Sequence, residues 1–159
     1  NEAKGLVECI SQDPQPTAFY KKLTSVKLFN ETQTLNLNYM SEHPGLYRQL
    51  KEHPEWVEQI HDLERITSGK SYRYIPKRLL GARQSASLGL IHDGDILAII
   101  TSKAGLDTSH VGIAFWQDAR LHMLHASSLQ KKVVLDSETL FDYQQKQPTQ
   151  LGVRIFRMK

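Results

Sequence analysis

The fold of this chain is decided by residues 94–135, which read GDILAIITSKAGLDTSHVGIAFWQDARLHMLHASSLQKKVVL. Short, largely apolar runs in this stretch are separated by turn residues, and such runs are typical of buried β-strands. The pattern predicts strands over 95–101, 111–116, 121–126 and 133–135. The turn Asp93-Gly94 introduces the first strand. The second and third strands form a predicted hairpin around residues 117–119.

The residues on either side of this stretch divide the chain into a polar, helix-rich first half and a strand-rich second half. The first half predicts short helices over 1–11 and 17–23, a loop or edge strand over 28–38, a helix with Ser41 as N-cap, and another with Pro54 in its first turn. That last helix carries an apolar stripe formed by Trp56, Val57, Ile60, Leu63 and Ile66. The second half predicts further strands over 72–75 and 151–157 and a helix over 137–145. Helices followed by an antiparallel sheet indicate an α+β fold.

Composition and charge narrow the class of protein. The 159 residues are enough for one domain, and the chain has no run of about 18 apolar residues, so no transmembrane helix is expected. The net charge is +3, and the basic residues are scattered without interleaved aromatics, which argues against nucleic-acid binding. The single cysteine, Cys9, excludes an internal disulfide and a multi-cysteine zinc site.

Three histidines fall in the predicted hairpin: His110, His122 and His125. Side chains alternate between the two faces of a strand, and directly opposed residues of an antiparallel pair share a face. If the loop has two central residues, Asp118 and Ala119, then His125 lies diagonally beside His110, and His122 lies on the opposite face. A loop with an odd number of residues would exchange these two histidines.

A pair formed by His110 and His125 has a chemical rationale. An imidazole can accept the proton of a nucleophilic thiol, and a polar group on its other nitrogen orients the ring. Gly112 and Ala114 are small, so we expect room on this face for a helix that bears the nucleophile. Two alternatives stay open, namely structural histidines and a zinc site. Alternation argues against zinc because it separates His122 from His125.

These residues resemble the NlpC-like cysteine peptidases of cell-wall metabolism. The pattern of that group is Gly-Asp at the start of a strand, then His-Val-Gly-Ile, then a strand with His-Ala, and here these lie at 94–95, 110–113 and 125–126. A narrower resemblance, from about Gly5 to Arg157, is to the bacterial N-acetylmuramoyl-L-alanine amidase-like family. It is carried by the segments NLNYMSEHPGLYRQLKEHPEW, YRYIPK, GLDTSHVGIA and LHMLHASS.

The resemblance implies a papain-like, NlpC-like α+β fold, with helices packed on an antiparallel sheet and a Cys-His-polar active site. His110 matches the catalytic histidine and His125 matches the orienting residue. Ser109 and Ser127 flank them and are expected to bind substrate. The resemblance also implies a peptidoglycan or muropeptide substrate, no metal or cofactor, and a location in the periplasm or outside the cell, at the envelope.

The family nucleophile lies in an Asp-Cys-Thr-like motif upstream of every segment matched here. Residues 1–159 are therefore expected to be one domain, the C-terminal portion of a larger amidase domain. Residues 1–70 would be mainly helical, and residues 71–159 would form the strand-rich sheet with the histidine pair. An N-terminal polypeptide segment would carry the nucleophilic cysteine. A structural role on a helix is favoured for Cys9, and a role as nucleophile stays open because Glu8-Cys9 imitates an acidic-Cys pair at a helix.

The expected function is hydrolysis of an amide bond of cell-wall muropeptides by a Cys-His mechanism. The sequence does not choose between the N-acetylmuramoyl–L-alanine bond and the bond between D-glutamate and the diamino acid, which related NlpC-like enzymes cut. Two further hypotheses are a non-catalytic wall-binding module and an acyl-transfer enzyme that acts on lipid or protein amides.

Overall fold

A computed structural model of the chain describes residues 7–9, 31–81, 88–89 and 91–158. Within these ranges the fold is α+β, as predicted. The strands are β1 (Val7–Cys9), β2 (Glu31–Thr34), β3 (Ser71–Pro76), β4 (Ile96–Thr101), β5 (Thr108–Gln117), β6 (Arg120–Ser127), β7 (Lys132–Leu135) and β8 (Gln150–Met158). The α-helices are α1 (Tyr39–Glu42), α2 (Arg48–Glu52), α3 (Val57–Thr67) and α4 (Leu140–Gln145), and short 3-10 helices cover Pro44–Leu46, Pro54–Trp56 and Lys77–Leu79.

The strands form one antiparallel sheet, which confirms the predicted sheet type. Its order is β2-β3-β8-β4-β5-β6-β7, and β1 pairs with the far end of β8. Strands β4 to β7 follow one another in the sheet as they do in the sequence. Strand β8 departs from this order because it inserts between β3 and β4. The last of the described strands is therefore a central strand of the sheet.

The main core lies on one face of the sheet. Alternate residues of β4 and β8, namely Leu97, Ile99, Val153 and Ile155, point into it and are almost fully buried. Burial of each such aliphatic side chain stabilises the fold by about 1.5–3 kcal/mol. Leu140 of α4 closes this core from the other side.

Helix α4 begins later than the sequence predicts. Its N-cap is Thr139, whose Oγ1 accepts a hydrogen bond from the backbone N–H of Asp142 at 3.1 Å. This bond satisfies one of the N–H groups that are open at every helix start. The predicted helix over 137–145 is thus confirmed only from Leu140 onward.

The start of β4 is held by an ion pair. The buried carboxylate of Asp95 accepts two hydrogen bonds from Arg157 of β8, both at 2.7 Å, and one from the backbone N–H of His92 at 2.8 Å. A bidentate pair of this kind fixes both partners in position. The aspartate of the Gly94-Asp95 pair therefore has a structural role in this chain.

The N-cap predicted for the first well-defined helix is wrong. Helix α1 has Asn38 at its N-cap position, and Ser41 lies inside the helix. The buried carboxylate of Glu64 on α3 accepts hydrogen bonds from the backbone N–H of Met40, at 2.9 Å, and from the hydroxyl of Ser41. A carboxylate from a distant helix thus satisfies the open N–H group of α1, and a cap from the local sequence is not needed.

The other helix predictions have mixed outcomes. Residues 7–9 form a strand rather than part of a helix over 1–11, because their pairing with β8 overrides local helix propensity. The helix expected over 17–23 lies outside the described residues. Helix α3 is confirmed, but Trp56, Leu63 and Ile66 of its apolar stripe are 42–60% exposed. No helix in the described ranges is long and apolar enough to cross a membrane.

Candidate active site

The turn between β5 and β6 fixes the register of the hairpin. Its two central residues, Asp118 and Ala119, have positive φ angles of 49° and 57°. This pair of left-handed residues is the mark of a type I′ turn, whose twist matches that of the two strands it joins. Trp116 pairs with Leu121 across the hairpin. The loop therefore has the even number of residues on which the predicted placement of the histidines depends.

His110 and His125 are in direct contact. The distance from Nε2 of His110 to Nδ1 of His125 is 2.7 Å, and the rings meet edge to face at 87°. His125 is only 8% exposed, and His110 is half-buried. Burial, and secondly the charge of His125, lower the pKa of His110. The ring of His110 is therefore neutral near pH 7 and available to accept a proton.

His122 lies on the opposite face of the hairpin, as predicted. It pairs with Phe115 across the two strands, and its Nδ1 donates to the backbone carbonyl of Asp136 at 3.0 Å. The three histidines do not converge. Over the ranges that the structure covers, no group of three His, Cys, Asp or Glu side chains is placed to hold a metal ion.

The histidine pair lies in a cleft of about 460 Å³ between the β5–β6 hairpin and the segment that follows α4. The cleft is lined chiefly by polar side chains, among them Ser109, Ser127, Gln130, Tyr143, Thr149 and Gln150. The ring of Tyr143, on α4, meets the ring of His125 at a centroid distance of 5.9 Å. These side chains offer hydrogen-bond donors and acceptors to a substrate that carries amide and hydroxyl groups.

Ser109 reaches this cleft through a β-bulge. Ile99 of β4 pairs with His110, but the next residue, Ile100, pairs with Thr108, so Ser109 is an extra residue on β5. A bulge breaks the simple alternation of faces and re-aims the side chain at that position. The hydroxyl of Ser109 donates to the carbonyl of Ile99 at 3.4 Å. The structure thus brings Ser109 and His110 to one cleft although they are adjacent in a strand.

Ser127, the second serine expected to bind substrate, also lines the cleft. Its hydroxyl accepts a hydrogen bond from the backbone N–H of Gln130 at 3.2 Å. The hydroxyl keeps its own proton for donation, because a serine can donate one hydrogen bond and accept others.

Gly112 and Ala114, the small residues beside His110, pack against the neighbouring strand and the core. A Cβ atom at Gly112 would lie 2.3 Å from Cγ of Met123, and Ala114 is buried in the core. Gly112 therefore makes room for Met123 of the neighbouring strand. The expectation that these residues leave space for an approaching helix is wrong at Gly112, because that space is filled.

Cys9 is not brought to the histidine pair. It lies in β1, where it pairs with Phe156 of β8, and so it does not stand on a helix as expected. Two strands, β8 and β4, separate β1 from β5. At about 4.8 Å per strand spacing, the backbone of Cys9 is at least about 14 Å from that of His110.

Asp136 and Gln150 are among the cleft residues that sequence reasoning missed. Oδ2 of Asp136 lies 3.6 Å from Nε2 of His125. The sequence could have predicted the position of Asp136, because this residue directly follows the predicted strand 133–135, which pairs with β6. Gln150 is 6% exposed, and its Oε1 has no hydrogen-bond partner among the residues that the structure describes. No local pattern predicts its position, which depends on the insertion of β8 into the sheet.

The chain is similar to known amidases. The model of the family described as AmiA-like, N-acetylmuramoyl-L-alanine amidase-like, matches residues 14–153. The crystal structure of an N-acetylmuramoyl-L-alanine amidase from Bacteroides uniformis is 37% identical, with a TM-score of 0.78, over 99% of this chain and 60% of its own. The crystal structure of a putative xylanase from Bacteroides fragilis is also 37% identical, with a TM-score of 0.76. The match covers 99% of this chain and 61% of the xylanase chain.

The chain spans about 60% of the length of these solved structures. A Legionella pneumophila protein, 21% identical with a TM-score of 0.56 over 99% of this chain and 58% of its own, shares the fold alone. No curated protein sequence matches the chain.

Proposed function

We propose that this chain, which belongs to the AmiA-like, N-acetylmuramoyl-L-alanine amidase-like family, supplies the base of a peptidoglycan hydrolase. The enzyme would cleave an amide bond of cell-wall muropeptides by a Cys-His mechanism on a papain-like, NlpC-like fold. The observation that carries this proposal is the 2.7 Å contact between His110 and His125 inside a polar cleft. The enzyme would act in the periplasm or outside the cell, where peptidoglycan lies.

In the proposed reaction, the nucleophile is a thiol on a polypeptide segment beyond residues 1–159. The thiol loses its proton to the free ring nitrogen of His110, Nδ1, and the thiolate attacks the amide carbon. The C–N bond then breaks, and His110 gives this proton to the leaving amine. Water, deprotonated by the same ring, hydrolyses the thioester and releases the thiol. His125 holds the ring of His110 in position throughout.

The polar side chains of the cleft support a muropeptide substrate, because they can bind its amide and hydroxyl groups. Ser109 and Ser127 would bind the substrate, because each hydroxyl lies at the cleft beside the histidine pair. The net charge of +3 suits the carboxylates of a stem peptide. The names of the family and of the Bacteroides uniformis structure favour the N-acetylmuramoyl–L-alanine bond. The bond between D-glutamate and the diamino acid is the alternative.

Digestion of purified muropeptides by the full-length protein, followed by mass spectrometry, tests the proposal. A product with a free amino group on L-alanine is expected. A free amino group on the diamino acid would identify the alternative bond, and intact muropeptides would overturn the proposal. His110→Gln should lower kcat by about 10²–10⁴-fold, the usual size of general acid–base catalysis. The matched control is His61→Gln, because His61 is exposed on α3.

A second candidate function, a non-catalytic wall-binding module, is favoured by one observation. The only thiol of the chain, Cys9, is separated from β5 by two strands. The intact mass of the purified natural protein distinguishes the two functions. A mass above that of the 159-residue chain, or a second co-purifying polypeptide with a cysteine, supports the amidase. The mass of this chain alone, together with retention on isolated cell walls, supports the binding module.

A further inference from the structure

Asp136 is held in place by three hydrogen bonds at the end of β7. Its backbone N–H donates to the carbonyl of Met123 at 3.0 Å, and its own carbonyl accepts from Nδ1 of His122 at 3.0 Å. Its carboxylate oxygen Oδ1 accepts from the backbone N–H of Glu138 at 3.1 Å. The second oxygen, Oδ2, faces Nε2 of His125 at 3.6 Å. The carboxylate is therefore fixed beside the buried outer nitrogen of His125.

A carboxylate beside one nitrogen decides where a neutral imidazole carries its proton. An ionised carboxylate only accepts hydrogen bonds, so it favours the tautomer of His125 that is protonated at Nε2. At 3.6 Å it acts mainly through its charge. Nδ1 of His125 is then an acceptor, and Nε2 of His110 must donate the proton of the 2.7 Å bond. Nδ1 of His110 is left without a proton.

The opposite arrangement would disable the base. If His125 carried its proton at Nδ1, it would donate to Nε2 of His110, and the proton of His110 would sit at Nδ1. The ring could then accept no proton from a nucleophile there. Both arrangements fit the distance between the two rings equally well. The choice between them is made by the group next to Nε2 of His125, and that group is Asp136.

We propose that Asp136 is a positioning residue that acts through His125 to keep Nδ1 of His110 unprotonated. The catalytic consequence rests on the proposed function, but the tautomer itself does not. The contact of the Asp136 carboxylate at the histidine pair is with His125, so its influence on His110 passes through that ring. The proposal extends the site from a pair of histidines to a row of three groups, His110, His125 and Asp136, with the partly exposed carboxylate at one end.

The test is Asp136→Asn in the full-length protein labelled with ¹⁵N-histidine. The Oδ1 atom of the new asparagine can still accept from Glu138, so the turn is retained. Its amide removes the charge and can donate to Nε2 of His125, which reverses both tautomers. Two-bond ¹H–¹⁵N correlations, recorded where both rings are neutral, should place the His110 proton on Nε2 in the wild type and on Nδ1 in the variant. The same tautomer in both proteins would overturn the proposal.

Two further variants separate positioning from folding. Glu138→Gln removes a neighbouring carboxylate that pairs with Lys146 and not with a histidine, so the tautomers should not change. Asp136→Glu restores the charge and should return the proton of His110 to Nε2. If Asp136→Asn unfolds the protein, Asp136→Glu decides alone, and a proton on Nδ1 in that folded variant would contradict the proposal.

Kinetics distinguish failure of this proposal from failure of the proposed function. In an active amidase, Asp136→Asn should lower kcat by about 10²–10⁴-fold with little change in KM, since a reversed tautomer removes the base and not the binding site. An unchanged kcat with an unchanged tautomer would refute the role of Asp136 and leave the amidase standing. A reversed tautomer in a protein that cleaves no muropeptide would support the role of Asp136 and refute the proposed amidase function.

Discussion

At the scale of single residues, the site depends on an imidazole that stays neutral. His110 is half-buried, and removal from water disfavours the charged form of a ring. The nearby His125 adds repulsion whenever both rings are protonated. Both effects lower the pKa of His110 below its ordinary value of 6.5. Folding therefore lowers the proton affinity of His110. It also raises the fraction of His110 that is neutral, and so able to accept a proton, near pH 7.

The lowered pKa predicts an acid-sensitive contribution to stability. Below about pH 6.5 the unfolded chain binds a proton at His110 that the folded chain does not, so the free energy of unfolding falls as the pH falls. The loss levels off below the folded pKa. Denaturation by urea at about pH 7.5 and about pH 5 should therefore show a larger loss for the wild type than for His110→Gln. An equal loss in both proteins would contradict the assignment.

At this scale the sequence predicted the histidine pair but not its surroundings. The pair follows from strand alternation and from the length of one turn, and both can be read locally. Ser109 reaches the cleft only because β5 has a bulge, which no periodic pattern reveals. Gly112 is small because Met123 fills its space from the next strand. Contacts that depend on a neighbouring strand are the ones that local reasoning missed.

At the scale of elements, the hairpin of β5 and β6 is built on an unusual turn. Type I′ turns favour Asn-Gly or Asp-Gly, because both central residues have positive φ angles. Here the second position is Ala119, at a φ of 57°. A Cβ atom is unfavourable in this region, and glycine adopts it without a steric cost. The turn that sets the register is thus less stable than an Asp-Gly turn of the same type would be.

We expect Ala119→Gly to raise the free energy of unfolding by about 0.5–1 kcal/mol, since it relieves the strain of the turn. The matched control is Ala126→Gly in β6, where the extended backbone gives glycine no advantage and its added flexibility should lower stability by about 0.5–1 kcal/mol. Urea denaturation of the three proteins measures both changes. A loss of stability in Ala119→Gly would contradict the turn geometry.

The elements themselves were predicted with uneven success, for a physical reason. Strands β4, β5 and β6 are long and strongly patterned, so their existence could be read from the sequence. Strand β1 was predicted as a helix because its three residues gain their pairing from β8, which lies almost 150 residues away. Helix α1 was given the wrong cap because Glu64, on α3, takes the place of a local side chain.

At the scale of the molecule, one buried arginine joins distant segments. Arg154 of β8, only 4% exposed, donates to both carboxylate oxygens of Asp107 and to Oε1 of Gln33, the latter at 3.1 Å. Its guanidinium also lies over the ring of Tyr72, 4.8 Å from the centroid. These contacts tie β2, β3 and the loop before β5 to the central strand. Removal of one partner would leave a buried charge without compensation.

Asp107→Asn should therefore lower the free energy of unfolding by about 3 kcal/mol, in the range found when one member of a buried ion pair is removed. Glu52→Gln is the control, because the pair of Glu52 with Arg48 is exposed and should contribute less than about 0.5 kcal/mol. Chemical denaturation measures both. Similar losses in the two variants would mean that the ion pair between Arg154 and Asp107 contributes no more to stability than an exposed pair.

The position of β8 has a consequence for how the chain is made. Strands β3 and β4 are not neighbours in the finished sheet, since β8 lies between them and is synthesised after β1 to β7. Until then, the nascent chain holds two separate groups of strands with open edges that face each other. Open strand edges invite pairing with other chains. The synthesis of β8 is thus the step that joins the two groups of strands, and a chain truncated ahead of Gln150 should aggregate.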